Sequence, residues 1–359
     1  MIRFRAGLIV AASAVALAPA THAADVPAKA PLLPAAIQSQ SGPYIWVDGA
    51  YESIPLPTYN IGSQRAASIV PLVLLGPLQS YDPRVTGVSV SGGIGYVFPH
   101  GTFWGDRFRV EVNTKVSHAT DSQSGRNLAT LIMRSNLAGA AVSTGGPGFL
   151  QLSNLSTEYQ AWQAGLMAAT DFRFGPVSLT PSVTIFGGRS QVVQDFFEVS
   201  ADLAGNASLV ESYNATSSLR WTDVGAKFGL DARTDLTPAF GVGLKGSVGF
   251  AARDVSLSAA DAPGFVLSLF FPSAVINTDA NTVPLLANAE ASIFVKSPSS
   301  NAVLRVFGGL NYDSRVPGIS APVIVSPGPG TPGIPAGIKF EGETSYYAGG
   351  GLLMKFGGP

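Results

Sequence analysis

The stretch that most constrains this chain is Arg220–Phe250, RWTDVGAKFGLDARTDLTPAFGVGLKGSVGF. Val224, Ala226, Phe228, Leu230 and Ala232 share one parity, and Asp223, Gly225, Lys227, Gly229, Asp231 and Arg233 share the other. After the short polar turn 234–238 the scheme repeats. Phe240, Val242, Leu244, Val248 and Phe250 stand opposite Gly241, Gly243, Lys245, Ser247 and Gly249. A period of two belongs to β-strands, whose side chains point alternately to the two faces. Each run is about as long as a tilted strand needs to cross a bilayer, roughly twice the usual soluble strand.

The same pattern places further strands near 43–53, 84–98, 103–118, 156–173, 176–193, 217–234, 237–257, 283–297, 301–314 and 340–356. The connections Pro99–Thr102, Gly175-Pro176, 234–238 and Ser297–Ser300 are short, and 54–83, 119–155, 194–216, 258–282 and 315–339 are long. Short periplasmic turns alternating with long extracellular loops are the connectivity of an outer-membrane barrel. The expected fold is therefore all-β. It is a transmembrane antiparallel up-and-down β-barrel of about ten strands over 43–356, with both termini periplasmic. A further hairpin in 54–83 or 258–282 would raise the count to about twelve, although Pro71, Pro77 and Pro272 oppose central strands there. Tyr96, Phe98, Phe108, Phe172, Phe240 and Phe356 fall at the turn ends of the lipid-facing rows, and Tyr51, Trp162, Phe250, Tyr312 and Tyr346 at the loop ends. Two aromatic girdles are expected on that fold.

Residues 1–23 have the form of a secretory signal: basic Arg3 and Arg5, an apolar Gly7–Leu17, and the small-residue site Thr21-His22-Ala23, with cleavage expected after Ala23 or Ala24. The apolar run is too short to span a bilayer as a helix. The 359 residues include no cysteine, 41 glycines and 13% charged residues, with a mean hydropathy of +0.27. A net charge of −1 gives no sign of a nucleic-acid partner. Residues 24–42 are proline-rich and unperiodic, as in an extended periplasmic linker. Their opening, Ala24-Asp25-Val26-Pro27-Ala28-Lys29-Ala30-Pro31, resembles the mature N-termini of small alphaproteobacterial outer-membrane barrel proteins.

The parity opposite the lipid rows gathers the strand charges. Asp48 and Glu52 lie in the first strand, and Arg107, Arg109, Glu111 and Lys115 in the third. Asp171, Arg173, Asp223, Lys227, Asp231 and Arg233 follow in the middle strands, then Lys245, Arg253, Glu290, Lys296, Arg305, Asp313 and Lys355. Ions at membrane depth need water or opposite charges, so these residues either form a self-neutralising network or line a hydrated path. Inward Gly93, Gly95, Gly225, Gly229, Gly241, Gly243, Gly309, Gly349 and Gly351 are expected to leave room in the lumen. The slight cation excess predicts weak anion preference, with Arg107, Arg109 and Lys115 setting it. The segment Gly225-Ala226-Lys227-Phe228-Gly229-Leu230-Asp231 resembles a hairpin of the Legionella-type pore-forming outer-membrane family. There Gly-Pro-Arg-x-Gly-x-Asp is usual; here Ala226 replaces the proline and Lys227 the arginine. The resemblance implies a pore and no catalytic residue.

Enzyme chemistry finds little support. Outside the signal only His100 and His118 remain, the first in a short turn and the second in the lipid-facing parity. Without cysteine or clustered acids, no cofactor or dedicated metal site is expected. The expected function is a porin-like channel for small hydrophilic solutes or ions. The alternatives are a structural or adhesive barrel without an open pore, and a channel for small apolar molecules. The second draws on the apolar loop segments Ile69–Leu78, Phe265–Ile276 and Val316–Ile338, which are expected to pack as a cap or fold into the mouth. Expected partners are outer-membrane lipid, lipopolysaccharide and the barrel assembly machinery during biogenesis. Gly357-Gly358-Pro359 follows the closing aromatic Phe356, a departure from the usual terminal signal. A homo-oligomer is compatible with this reading.

Overall fold

The computed structural model describes residues 41–66, 74–98, 106–128, 132–139, 141–144, 150–201, 207–263, 273–297, 301–323 and 333–356. The expected signal, nearly all of the linker, His100, Gly357–Pro359, half of the apolar segment 69–78 and most of 265–276 lie outside them. In chain order the strands are β1 (Gly42–Pro55), β2 (Tyr59–Ala66), β3 (Leu74–Tyr81), β4 (Arg84–Val97) and β5 (Arg107–Leu128). Next come β6 (Ile132–Ser135), β7 (Ala141–Thr144), β8 (Leu150–Phe174), β9 (Val177–Ala201) and β10 (Ala207–Asp235). The last are β11 (Phe240–Pro263), β12 (Val275–Thr282), β13 (Leu285–Lys296), β14 (Ala302–Ser320) and β15 (Gly337–Lys355).

One sheet runs β10-β9-β8-β5-β4-β1-β15-β14-β13-β11-β12, and β10 also pairs with β11, which closes the ring. β12 pairs with Arg253–Ala260 of β11, and β13 with Phe240–Phe250 of the same strand. These two are one stave interrupted at Val283-Pro284, so eleven strands make ten staves. All pairings are antiparallel, including β1 with β15. Gly175 turns β8 into β9 at φ 61°, the left-handed conformation a two-residue hairpin with glycine first requires. Both described ends sit at this turn end, where the Phe356 amide donates to the Pro43 carbonyl at 2.8 Å.

The strands outrun their expected lengths. β10 begins at Ala207 and β9 runs to Ala201, so much of the expected loop 194–216 is wall. The loop 54–83 does hold a hairpin, β2–β3, but it joins β6–β7 in a separate four-stranded sheet of order β3-β2-β6-β7. The twelve-stave alternative is therefore not formed. Period-two sequence marks a strand without saying which sheet it enters.

Outside, the wall carries an apolar belt. Val90, Ile94, Val112, Val224, Phe228, Leu244 and Val306 are all more than half exposed. The expected girdle residues Tyr96, Phe240 and Phe356 at the turn end, and Tyr51, Trp162, Phe250 and Tyr346 at the loop end, are exposed at its margins. Tyr96, Phe98 and Phe108 stack in series, with centroids 5.1 and 5.7 Å apart. The largest buried apolar cluster among the described residues is inside the barrel, at the loop end. Leu56, Tyr59 and Tyr81 from the first long connection and Leu137 from the second pack against Leu155, Phe196, Leu219, Trp221, Val255, Leu257, Val316 and Ile319. These wall residues come from β8, β9, β10, β11 and β14, so the cluster reaches across the bore.

Candidate functional site

The interior changes character along each long strand. On β10 the inward parity reads Tyr213, Ala215, Ser217, Leu219 and Trp221, then Asp223, Gly225, Lys227, Gly229, Asp231 and Arg233. Tyr213, Leu219 and Trp221 are buried in the core cluster, while the second set faces the polar half. β11 does the same, with Ala259, Leu257 and Val255 above Arg253 and Lys245 below it. The lumen is thus an apolar plug above a charged wall.

The plug is fastened by one carboxylate. Asp261, 4% exposed, accepts hydrogen bonds from the Leu137 amide at 2.7 Å, the Ala274 amide at 2.7 Å and the Tyr213 hydroxyl at 2.9 Å. It ties two long connections to the wall through backbone donors that would otherwise be buried without acceptors. Tyr59 fills the middle at 2% exposed. Burial pushes its phenol well above the ordinary value, with Ser217 at its hydroxyl pulling the other way. Two of the apolar segments expected to fold into the mouth do so in their described parts: Ala274, Val316, Ile319 and Ala336 belong to the cluster, and Ile276 and Ile338 pack on it.

Below the plug lies a cavity of about 290 Å³, whose walls include Glu52, Lys115, Phe186, Trp221, Asp223, Lys227, Arg253, Asn288 and Asp313. Arg253, 2% exposed, is its main fastening. Its Nε and Nη2 donate to Asp223 at 2.7 and 2.8 Å, Nη2 also to Asp313 at 2.7 Å, and Nη1 to the Arg315 carbonyl at 2.8 Å. Such a fork matches the planar guanidinium and satisfies charges that are largely withdrawn from water.

Register places every charged residue singled out from the sequence on the interior face. Most are paired along the wall. Glu52 binds Lys115, and Asp231 binds Arg233. Arg305 meets Asp48 at 2.7 Å and Glu290 at 3.3 Å, and Lys296 meets Asp235. Glu111 accepts from the Tyr44 hydroxyl at 2.8 Å, and Asp171 from Thr180 at 2.7 Å. Lys227 lies over the Phe186 ring at 4.5 Å, a cation–π contact. Lys245 sits in register between Asp231 and Glu290. No carboxylate among the described residues comes within 4 Å of the side-chain nitrogens of Arg107, Arg109, Arg173, Lys227, Lys245 or Lys355, although Asp106 accepts from the Arg173 backbone amide at 2.9 Å. Lys115, one of the trio expected to set selectivity, is paired with Glu52. Asp261, Tyr213 and the plug aromatics escaped the sequence reading. The signal was there: Tyr213, Leu219 and Trp221 continue the inward parity of Asp223 without its polarity. His118 holds its expected outward position, 3.8 Å from Glu158.

The inward glycines do not widen the bore as expected. A Cβ on Gly95 would meet the Tyr44 ring, on Gly93 the Trp46 ring, on Gly309 the Tyr347 ring, and on Gly243 the Phe294 ring. Glycine here seats a neighbouring ring flat on the wall. Gly95→Val should displace Tyr44 from Glu111 and destabilise the barrel by about 1–3 kcal/mol. Gly49→Val, where nothing lies within 4 Å of the new Cβ, should be near neutral. Melting midpoints of the two variants, read from band shifts on unheated gels, check this, and equal midpoints would sink it.

Comparison with known proteins adds the following. Residues 47–259, more than half of the chain, match the family model described as "MltA-interacting protein MipA". No curated protein matches the sequence significantly. Among solved structures, the outer membrane protease OmpT from Escherichia coli aligns at 11% identity, covering 87% of this chain and 97% of its own, with a TM-score of 0.44. The CymD monoaromatic hydrocarbon channel aligns at 6% identity over 89% and 90%, with a TM-score of 0.29. An anion-selective porin from Comamonas acidovorans aligns at 10% over 88% and 99%, with a TM-score of 0.21. Likeness at this level carries no argument about activity.

Proposed function

The chain belongs to the family of the MltA-interacting protein MipA, and from that premise we propose an outer-membrane channel for small hydrophilic solutes, shut at its loop end. The apolar belt supports the membrane setting. Its exposed large hydrophobics come from every stave of the ring, a surface that lipid covers and water does not. The single observation that carries the channel is the charged wall and its cavity of about 290 Å³ beneath the plug. A barrel with no need of water inside would continue the apolar packing downward. The resemblance of Gly225–Asp231 to the Legionella-type pore family points the same way. Nothing in the described site supplies a nucleophile with its base, so the reading is non-enzymatic. The turn end, with both described termini, is taken as periplasmic.

The test is planar-bilayer conductance of the full protein. Native protein should be mostly closed with brief openings. In the open state, reversal potentials under a salt gradient should show weak anion preference, strongest at low salt. Arg107→Gln with Arg109→Gln should move the reversal potential toward zero, whereas Lys115→Gln should change it less. A second reading is favoured by the plug itself: a barrel that never conducts and meets a partner protein, in line with the family's description of MipA as MltA-interacting. Silence in bilayers, even after the plug is loosened, would select that reading over the channel.

A further inference from the structure

We propose that the turn end of the lumen is a binding site for a small multivalent oxyanion of the phosphate class. Arg107 and Arg109 point inward from β5, Arg173 from β8 and Lys355 from β15. Lys355 pairs in register with Tyr44, Tyr44 with Gly95, and Gly95 with Glu111, two residues above Arg109. Arg107 pairs with Asp171, two residues before Arg173. Lys355 accordingly lies within electrostatic reach of Arg107 and Arg109, and Arg107 within reach of Arg173.

The carboxylates nearby do not offset this cluster. Glu111 is held by Tyr44, Asp171 by Thr180, Asp231 by Arg233, and Asp106, the acid beside Arg107, by the Arg173 backbone amide at 2.9 Å. The four cations have no carboxylate within ion-pair distance among the described residues. The Arg109 Nε is buried and has no hydrogen-bond partner. A buried guanidinium N–H without an acceptor is costly, and a repelling set of like charges more so, unless an anion completes the site. Guanidinium forks suit tetrahedral oxyanions through paired N–H donors, and phosphate carries enough charge to offset several cations at once. A single carboxylate or chloride would leave most of the set uncompensated.

Binding does not require conduction, so the test is an equilibrium one on full-length protein in detergent. Inorganic phosphate, pyrophosphate and glycerol phosphate are titrated at matched ionic strength against chloride. The melting midpoint should rise by about 2–4 °C once the ligand exceeds its dissociation constant about tenfold. Pyrophosphate outperforming glycerol phosphate would assign the site to free anions, and the reverse to phosphate esters. Arg107→Gln with Arg109→Gln should abolish the shift, and Lys339→Gln, at the loop end beside Glu341, should keep it. Should the double variant fail to fold, Arg173→Gln, at an exposed position, takes its place with phosphorus NMR line broadening of pyrophosphate as readout. Equal shifts with chloride, or shifts and broadening that survive in the folded variants, would overturn the site. A barrel silent in bilayers that still binds pyrophosphate would overturn the channel and keep the site.

Discussion

Asp261→Ala should unfasten the plug at the loop end. The substitution leaves the Leu137 and Ala274 amides without their carboxylate acceptor and removes one hydrogen bond of the Tyr213 hydroxyl, inside a core where water does not replace the carboxylate. Hydrogen bonds to a charged acceptor contribute about 1.5–3 kcal/mol each. Partial relaxation brings the expected loss to about 3–6 kcal/mol of local stability. Amide exchange at Leu137 and Ala274 should accelerate roughly 10²–10⁴-fold, while the belt strands stay protected. In bilayers the same variant should raise the open probability at least about tenfold, given such a loss in the closed state. Asp261→Asn keeps one acceptor oxygen and should fall between. Native exchange rates at both amides in Asp261→Ala would show that apolar packing alone holds the plug.

Arg253→Met should destabilise the charged half of the wall strongly. It removes the one cation shared by Asp223 and Asp313, whose side chains are only 16% and 24% exposed. Breaking a buried ion pair from one side costs about 3–5 kcal/mol, because the orphaned charges stay behind. The melting midpoint should fall by roughly 10 °C. Adding Asp223→Asn and Asp313→Asn should recover most of it, since the penalty lies in uncompensated charge. A triple variant no more stable than Arg253→Met would assign Arg253 a packing role, through the Trp221 ring 5.8 Å away.

Much of this molecule is legible in its residues because a barrel wall is a local code. Alternation assigns each side chain to lipid or lumen, and Gly175-Pro176 and the 234–238 segment state their turns. Parity alone therefore places Asp48, Arg253, Lys355 and the rest of the charged set inside. The alternating loop lengths fix the connectivity, and the girdle aromatics mark the belt's margins. What the chain could not show by itself is which inward residues meet. Lys115 reaches Glu52 across an intervening strand, and Tyr44 lies over Gly95 to reach Glu111. Those contacts depend on the stagger between staves, which no single strand encodes. The plug is of the same kind. Leu56, Tyr59 and Leu137 look like ordinary loop residues until closure of the ring brings Phe196, Leu219 and Leu257 around them. Asp261 becomes a fastening only where two distant amides converge on it. The sequence by itself determined the wall, its faces and its ends. Tertiary structure alone decided that an apolar cluster fills the loop end and that cations below it have no carboxylate partner among the described residues, since both follow from long-range register and burial.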